Sequence, residues 1–241
     1  MEVVLSFEPR APGKLVRERE RSILEECDPQ DAAAVRAAAN RVWLRGGTTM
    51  ATSGDPLQFV WFPEDAIVSL AAEQAGGRHA DVGLIGAEGM VGWQVLLGEQ
   101  RVAMRCTAEL GGGHALVLPA AALQMLAQTR PALRQTLFAF VSGFNAQVGR
   151  TLASTLHASP AVRLARWLLL YHDRMAGDEL AITHQRLADL LGVRRASITD
   201  WLHVMEGERV VRCTRGRVVV RDRAALEQVA GGAYSFDGPR A

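Results

Sequence analysis

The sequence predicts an α+β protein with three parts: an N-terminal β-domain of sandwich or barrel type, a long helix and a C-terminal winged helix-turn-helix. Three observations carry this. Short apolar runs between Arg41 and Leu118 are punctuated by glycine. A single amphipathic pattern follows Pro131 for about 28 residues. Two short helical patterns then meet at Gly192, with a basic hairpin pattern beyond them.

Residues 1–17 are mixed and contain Pro and Gly; they read as a mobile tail. Glu18–Cys27 reads as a short helix. Asp31–Asn40 reads as a second, with alanine-rich propensity and Asp31 as N-cap or first-turn acid. Strand patterns follow at Val42–Leu44, Leu57–Phe62, Ile67–Ala71, Asp81–Ile85, Val102–Leu110 and Ala115–Leu118. The turn signals between them include Gly46-Gly47, Ser53-Gly54-Asp55, Ala75-Gly76-Gly77-Arg78 and Gly111-Gly112-Gly113. Several short strands at this spacing form a sandwich or barrel, whose interior can hold a small ligand.

Ala120–Gln128 reads as a short helix. After Pro131, Leu133, Leu137, Phe140, Phe144, Val148, Leu152 and Leu156 make one apolar stripe, widened by Val141. A helix of roughly 28 residues extends roughly 40 Å, too far for one small core to cover. Part of the stripe is expected to pack on the β-domain and part to pair with a second copy; the alternative is a helix wholly internal to one chain. Leu137, Phe140, Phe144, Val148 and Leu152 are the expected dimerisation residues, and Gly143 and Gly149 permit close approach of helices. Pro160 restarts the chain at a helical first position with Ser159 as N-cap. The expected domains are therefore 18–129, 130–159 and 160–241.

Within Ile182–Glu206, Leu187, Leu190 and Leu191 face a core from one helix, and Ile198, Trp201, Leu202 and Met205 from the next. A glycine turn between two such helices is the layout whose second helix enters the DNA major groove, N-terminus first. Val210–Arg212 and Arg217–Val220 flank Thr214-Arg215-Gly216 as a basic wing. The whole chain carries a formal charge of only +1. From Pro160 to Arg223, however, twelve arginines face eight acids. Arginine offers bidentate donors to phosphate and guanine.

Cys27, Cys106 and Cys213 are far apart, with no CxxC or Cys/His cluster, so no metal or other cofactor is expected. No run reaches membrane-spanning length, and no signal-peptide pattern opens the chain; a cytoplasmic protein without a membrane partner is expected. No Ser/His/Asp arrangement or metal spacing supports an enzyme. Gly86-x-x-Gly89-x-x-Gly92 follows a β-roll strand rather than opening a Rossmann unit.

The segments FVWFPEDAIVSL, VGLIGAEGMVGWQVLLG and ITHQRLADLLGVRRASITDWLHVMEGERVV, in that order, resemble the Crp/Fnr family of bacterial transcription regulators. The resemblance covers nearly the whole chain and implies that the N-terminal β-domain is a sensor β-roll of cyclic-nucleotide-binding type. It implies a dimer that binds a palindromic promoter site on double-stranded DNA, with RNA polymerase as a further partner and no enzymatic activity. It also implies a nucleotide pocket around Gly92, Trp93, Arg101 and Val102. Gly92, Arg101 and Ala103 match the cyclic-AMP-binding relatives. Trp93 replaces the glutamate that takes the ribose hydroxyl there, and Val102 replaces the Ser or Thr that takes the phosphate. Each lost partner costs about 1–3 kcal/mol, so this degenerate pocket is expected not to bind cyclic AMP, and the effector is unknown. Arg101 is expected to form a structural ion pair with Glu99 or Glu88. Haem-sensing relatives use His or Cys ligands in the roll and long helix; here His79 and His114 read instead as surface or hydrogen-bonded residues.

For DNA, the resemblance together with the helix pattern selects Thr183, His184, Arg194, Arg195, Ser197, Thr199, Arg215 and Arg217. Arg195 is the expected guanine reader. Ala196 stands where the family has glutamate, and Asp200 where it has a basic residue, so the half-site is expected to be this protein's own. The alternative function is a small-molecule or redox sensor that acts through protein contacts, with vestigial DNA binding.

Overall fold

The computed structural model describes residues 22–73 and 79–235. The expected tail 1–17, the start of the first helix and the turn at 75–78 lie outside the described residues. The first helix is one turn, α1 (Ile23–Glu26), held at its start by a reciprocal cap between Ser22 and Glu25. Helix α2 (Pro29–Ala38) begins earlier than expected, because Asp28 caps it and Pro29 takes its first position. Asp31 is a buried first-turn acid whose carboxylate accepts from Arg130 at 2.7 Å.

Seven strands then form the roll: β1 (Asn40–Leu44), β2 (Thr49–Ala51), β3 (Phe59–Pro63), β4 (Val68–Glu73), β5 (His79–Ile85), β6 (Arg105–Ala108) and β7 (Gly113–Pro119). They make two antiparallel sheets, ordered β1-β7-β3 and β2-β6-β4-β5. Val60, Phe62, Val68, Leu70, Ile85, Leu116 and Leu118 meet between the sheets in one core. Strand β2 is too short and too polar to show in the sequence. The run Val102–Leu110 is strand only over β6, because Val102 turns inward and Arg101 forms an isolated bridge with Pro56.

Helix α3 (Ala120–Thr129) leads into α4 (Pro131–His157), 27 residues long, with Pro131 at its first position. One face of α4 closes the roll: Leu133, Leu137, Val141 and Phe144 belong to the roll's core. The Gln147 side chain accepts from the Leu84 amide at 2.7 Å and donates to the Leu84 carbonyl at 3.2 Å. One amide thus satisfies the backbone N–H and C=O of Leu84 on the edge strand β5.

The C-terminal unit comprises α5 (Pro160–Asp173), β8 (Glu179–Leu180), α6 (His184–Leu191), α7 (Arg195–Gly207), β9 (Val211–Thr214), β10 (Arg217–Val220) and α8 (Arg223–Ala230). Its core is built from Leu164, Leu168, Leu187, Leu191, Ile198, Leu202, Met205 and Val218. Strand β8 falls in a segment that reads as polar, yet it is the third strand of the wing sheet, ordered β8-β10-β9. Among the described residues, no helix is long and apolar enough to cross a membrane.

Candidate nucleic-acid interface

The geometry of the head follows from its caps. Thr183 accepts from the Arg186 amide at 3.1 Å and starts α6. Gly192, at φ +66, ends it in the left-handed region that a side chain rarely adopts. The chain reverses there and α7 opens with Arg194 as N-cap. Arg194, Arg195 and Ala196 are exposed at this N-terminus, Ser197 and Thr199 are half-buried, and Asp200 is exposed one turn on.

His184 and Thr199 have a structural task. His184 Nδ1 lies 3.0 Å from Thr199 Oγ1, and that hydroxyl also donates to the Arg195 carbonyl at 3.2 Å. The pair clips α6 to α7. Burial, then Arg195 and His203, hold the His184 imidazole below its ordinary pKa, so it is neutral at pH 7. Of the wing residues, Arg215 is exposed at the tip beside Gly216, which sits at φ +77. Arg217 is paired with Glu179 across the wing sheet. Of the expected DNA-facing set, Arg194, Arg195, Arg215 and Arg217 are exposed. Thr183, His184 and Thr199 also take part in the hydrogen bonds that hold α6 and its junction with α7.

The residues expected to line an effector pocket differ in their surroundings. Gly92 opens a 3-10 turn (Trp93–Leu97) at φ +88. Trp93 is buried, its ring centroid 6.1 Å from that of Phe144. Val102 belongs to the core, while Arg101 is exposed and donates to the Gly54 carbonyl at 2.6 Å. The expected Arg101 ion pair is replaced, because Glu88 is already held by Arg174 of α5 at 2.8 Å, both side chains buried. His114 meets Asp65 at 3.2 Å and the edge of Trp43. The glycines of the 86–92 loop serve packing. A Cβ at Gly89 would overlap the Phe140 ring, and one at Gly86 would press on Arg174.

A cleft of about 420 Å³ lies elsewhere, between α1, α4 and Arg174, with Phe140, Phe144 and Gln147 in its wall. Below it Arg166, 2% exposed, donates to Thr151 at 3.0 Å and to the Gln147 carbonyl at 3.3 Å. Burial, then Arg150 and Arg174, push its pKa down to about 10.

The expected dimer seam is divided. Leu137 and Phe144 are buried in the chain's own core, with Phe140 and Val148 packed against it. Leu152 alone of the five is strongly exposed. The reason is helical phase: the stripe Leu133–Val148 is the face that closes the roll. A different row, Phe138, Ser142, Asn145, Gly149, Leu152 and Leu156, is exposed.

All three cysteines have raised pKa values: Cys106 to about 12 by burial, Cys27 to about 11 by burial and Asp31, and Cys213 to about 11 by burial and Glu206. Thiols so protonated are poor nucleophiles. Iodoacetamide at pH 7 is expected to label the native protein far more slowly than the urea-unfolded chain, read by intact mass. Equal labelling rates would contradict this.

Sequence reasoning missed Arg186. It looks like a surface residue of α6, but its carboxylate partners lie 77 and 105 positions away, on the roll. No local signal can announce them.

An exposed basic helix N-terminus, a basic wing and a β-roll together define a winged helix-turn-helix unit joined to a β-roll domain. Residues 162–229 match the family model described as a Crp-like helix-turn-helix domain. FixK2 from Bradyrhizobium japonicum is similar in fold (TM-score 0.70, 16% identity, covering 81% of this chain and 99% of that one). So is the c-di-GMP-responsive global regulator CLP from Xanthomonas campestris (0.64, 18%, 80% and 99%). A third is TTHA1359, a Crp/Fnr-family transcriptional regulator from Thermus thermophilus (0.62, 21%, 79% and 98%). No curated protein matches the chain. The chain carries a Crp-like helix-turn-helix domain on the α+β fold of the Crp/Fnr regulators.

Proposed function

We propose that this protein is a dimeric, sequence-specific transcription regulator that acts in the cytoplasm on palindromic promoter sites, in contact with RNA polymerase. The observation that carries the reading is the exposed Arg194-Arg195-Ala196 turn at the start of α7, within a Crp-like helix-turn-helix domain. Arg195 reads a guanine edge, Ser197 a base or phosphate, and Arg194 and Arg215 the backbone. Ala196 can touch only a thymine methyl, and Asp200 repels phosphate, so the half-site differs from that of relatives with glutamate and a basic residue there.

The division of labour is a roll over 18–129, a dimer helix over 130–159 and a DNA-binding unit over 160–241. A second copy covers the exposed row of α4. The buried Trp93 ring and the inward Val102 support a roll that does not take cyclic AMP. Raised thiol pKa values weigh against a redox sensor built on these cysteines.

Mobility-shift titration over upstream fragments, including the gene's own, tests the proposal. Wild type is expected to select one palindrome. Arg195→Ala is expected to bind it roughly tenfold or more weakly, with about 1–3 kcal/mol of discrimination lost at the contacted base. A sequence-blind, purely salt-dependent shift would reduce the protein to nonspecific binding.

A further inference from the structure

One of the ties between the DNA-binding head and the roll is the guanidinium of Arg186. From α6, Arg186 donates through Nη1 and Nη2 to both oxygens of Asp81, at 2.9 and 2.8 Å. Nη2 also donates to Glu109 at 2.6 Å, and Nε lies 3.2 Å from both Glu109 oxygens. Asp81 sits on β5 beside a register shift against β4, an irregularity of the kind that re-aims a side chain. Glu109 follows β6, its amide bonded to the Ile67 carbonyl at 2.8 Å. The three side chains are 18%, 3% and 8% exposed. Burial lowers the Arg186 pKa, but the bonds from Asp81 and Glu109 outweigh it and hold the group firmly charged.

The same turn of α6 reaches the recognition helix. The Arg186 amide is capped by Thr183, and the neighbouring His184 is clipped to Thr199 on α7. The linkage runs from two roll carboxylates, through α6, to the base-reading helix. Arg174 with Glu88 makes a second crossing at the end of α5.

We propose that Arg186 is a positioning residue for DNA recognition: clamped between Asp81 and Glu109, it fixes the head on the roll and so sets the separation of the two recognition helices in the dimer. This rests on the dimeric DNA-binding reading above. Half-sites must lie about one helical turn, 34–36 Å, apart to be read together, so rotation of a head costs palindrome binding while sparing a single half-site. Without Arg186, two buried carboxylates face each other with no cation between them, which drives the head from the roll.

A groove of about 240 Å³, lined by Asp81, Glu109 and Arg186, opens the clamp to solvent. Small cations can therefore reach it.

The test compares wild type, Arg186→Ala and the milder Arg186→Lys, which keeps the charge but loses the two-pronged geometry. Affinity is measured for the selected palindrome, for versions with one to three base pairs added at the centre, and for an isolated half-site. For Arg186→Ala we expect at least tenfold weaker binding at natural spacing, less than threefold change on the half-site and a flattened spacing preference. Arg186→Lys should fall between. Guanidinium chloride at millimolar concentration should return part of the Arg186→Ala affinity and leave wild type unchanged. Equal losses on palindrome, lengthened sites and half-site in both variants would show a merely structural role and overturn the proposal. Hydrogen exchange of the free protein supplies a readout without DNA. At least tenfold faster exchange in α6 and along the β5 edge of Arg186→Ala supports the clamp, and unchanged exchange overturns it. If wild type selects no DNA at all, the functional reading fails while the exchange result still decides the clamp.

Discussion

Leu152→Asp combined with Leu156→Asp is expected to yield a folded monomer that no longer holds a palindrome. Both side chains are strongly exposed on α4, 61% and 67%, so the chain's own core does not need them. They end a row, Phe138, Ser142, Asn145, Gly149, Leu152 and Leu156, that recurs alternately every four and three residues. That is the 3.5-residue repeat of a two-helix seam. Ser142 and Gly149 are small, and nothing lies within 4 Å of a Cβ built at Gly149, so a second helix can approach closely. In a two-fold dimer each residue counts twice. Burying one leucine contributes about 1.5–3 kcal/mol, and an aspartate there adds desolvation and like-charge repulsion. Sedimentation velocity should show half the mass. Palindrome affinity should fall by about 100-fold or more, because linked half-sites gain that much from effective concentration. Leu137→Ala is the contrasting control: it should cost about 2–5 kcal/mol of fold stability, since Leu137 is fully buried within one chain. A double aspartate variant that remains a dimer would sink the seam.

Gly89→Ala is expected to destabilise the protein by about 1–3 kcal/mol, the usual cost of overpacking. The added methyl would occupy the space of the Phe140 ring, which is pinned in turn beside Phe144, the ring centroids 6.2 Å apart. Gly89 is not at positive φ, so the cost is steric rather than conformational. The Phe140→Leu background should relieve part of it, giving strong non-additivity in a double-mutant cycle read by urea unfolding. Additive losses would show that the loop moves aside freely.

Much of the head was legible because its signals are local. Gly192 must turn, and Leu187, Leu191, Ile198 and Leu202 fall at helical spacing; the structure uses each in that way. The roll was legible as a set of strands, but its sheet partners were not. Strands β2 and β8 were missed because three- and two-residue strands draw their existence from neighbours rather than from pattern. The candidate site was legible in its exposed arginines. The commitment of His184 and Thr199 to each other, and of Arg217 to Glu179, depends on side-chain geometry across elements.

The sequence by itself determined the order of strand-rich and helical segments, the turn at Gly192 and the glycine and proline punctuation, because these rest on periodicity and on residues that act within a few positions. Only the tertiary structure decided which face of α4 closes the roll and which is left exposed. It also decided that Trp93 lies buried close to Phe144, and that Arg186 joins head to roll. Those outcomes depend on the phase of a long helix and on charges brought together from up to 105 positions apart. Such pairings are set by packing, and the residues themselves carry no local sign of them.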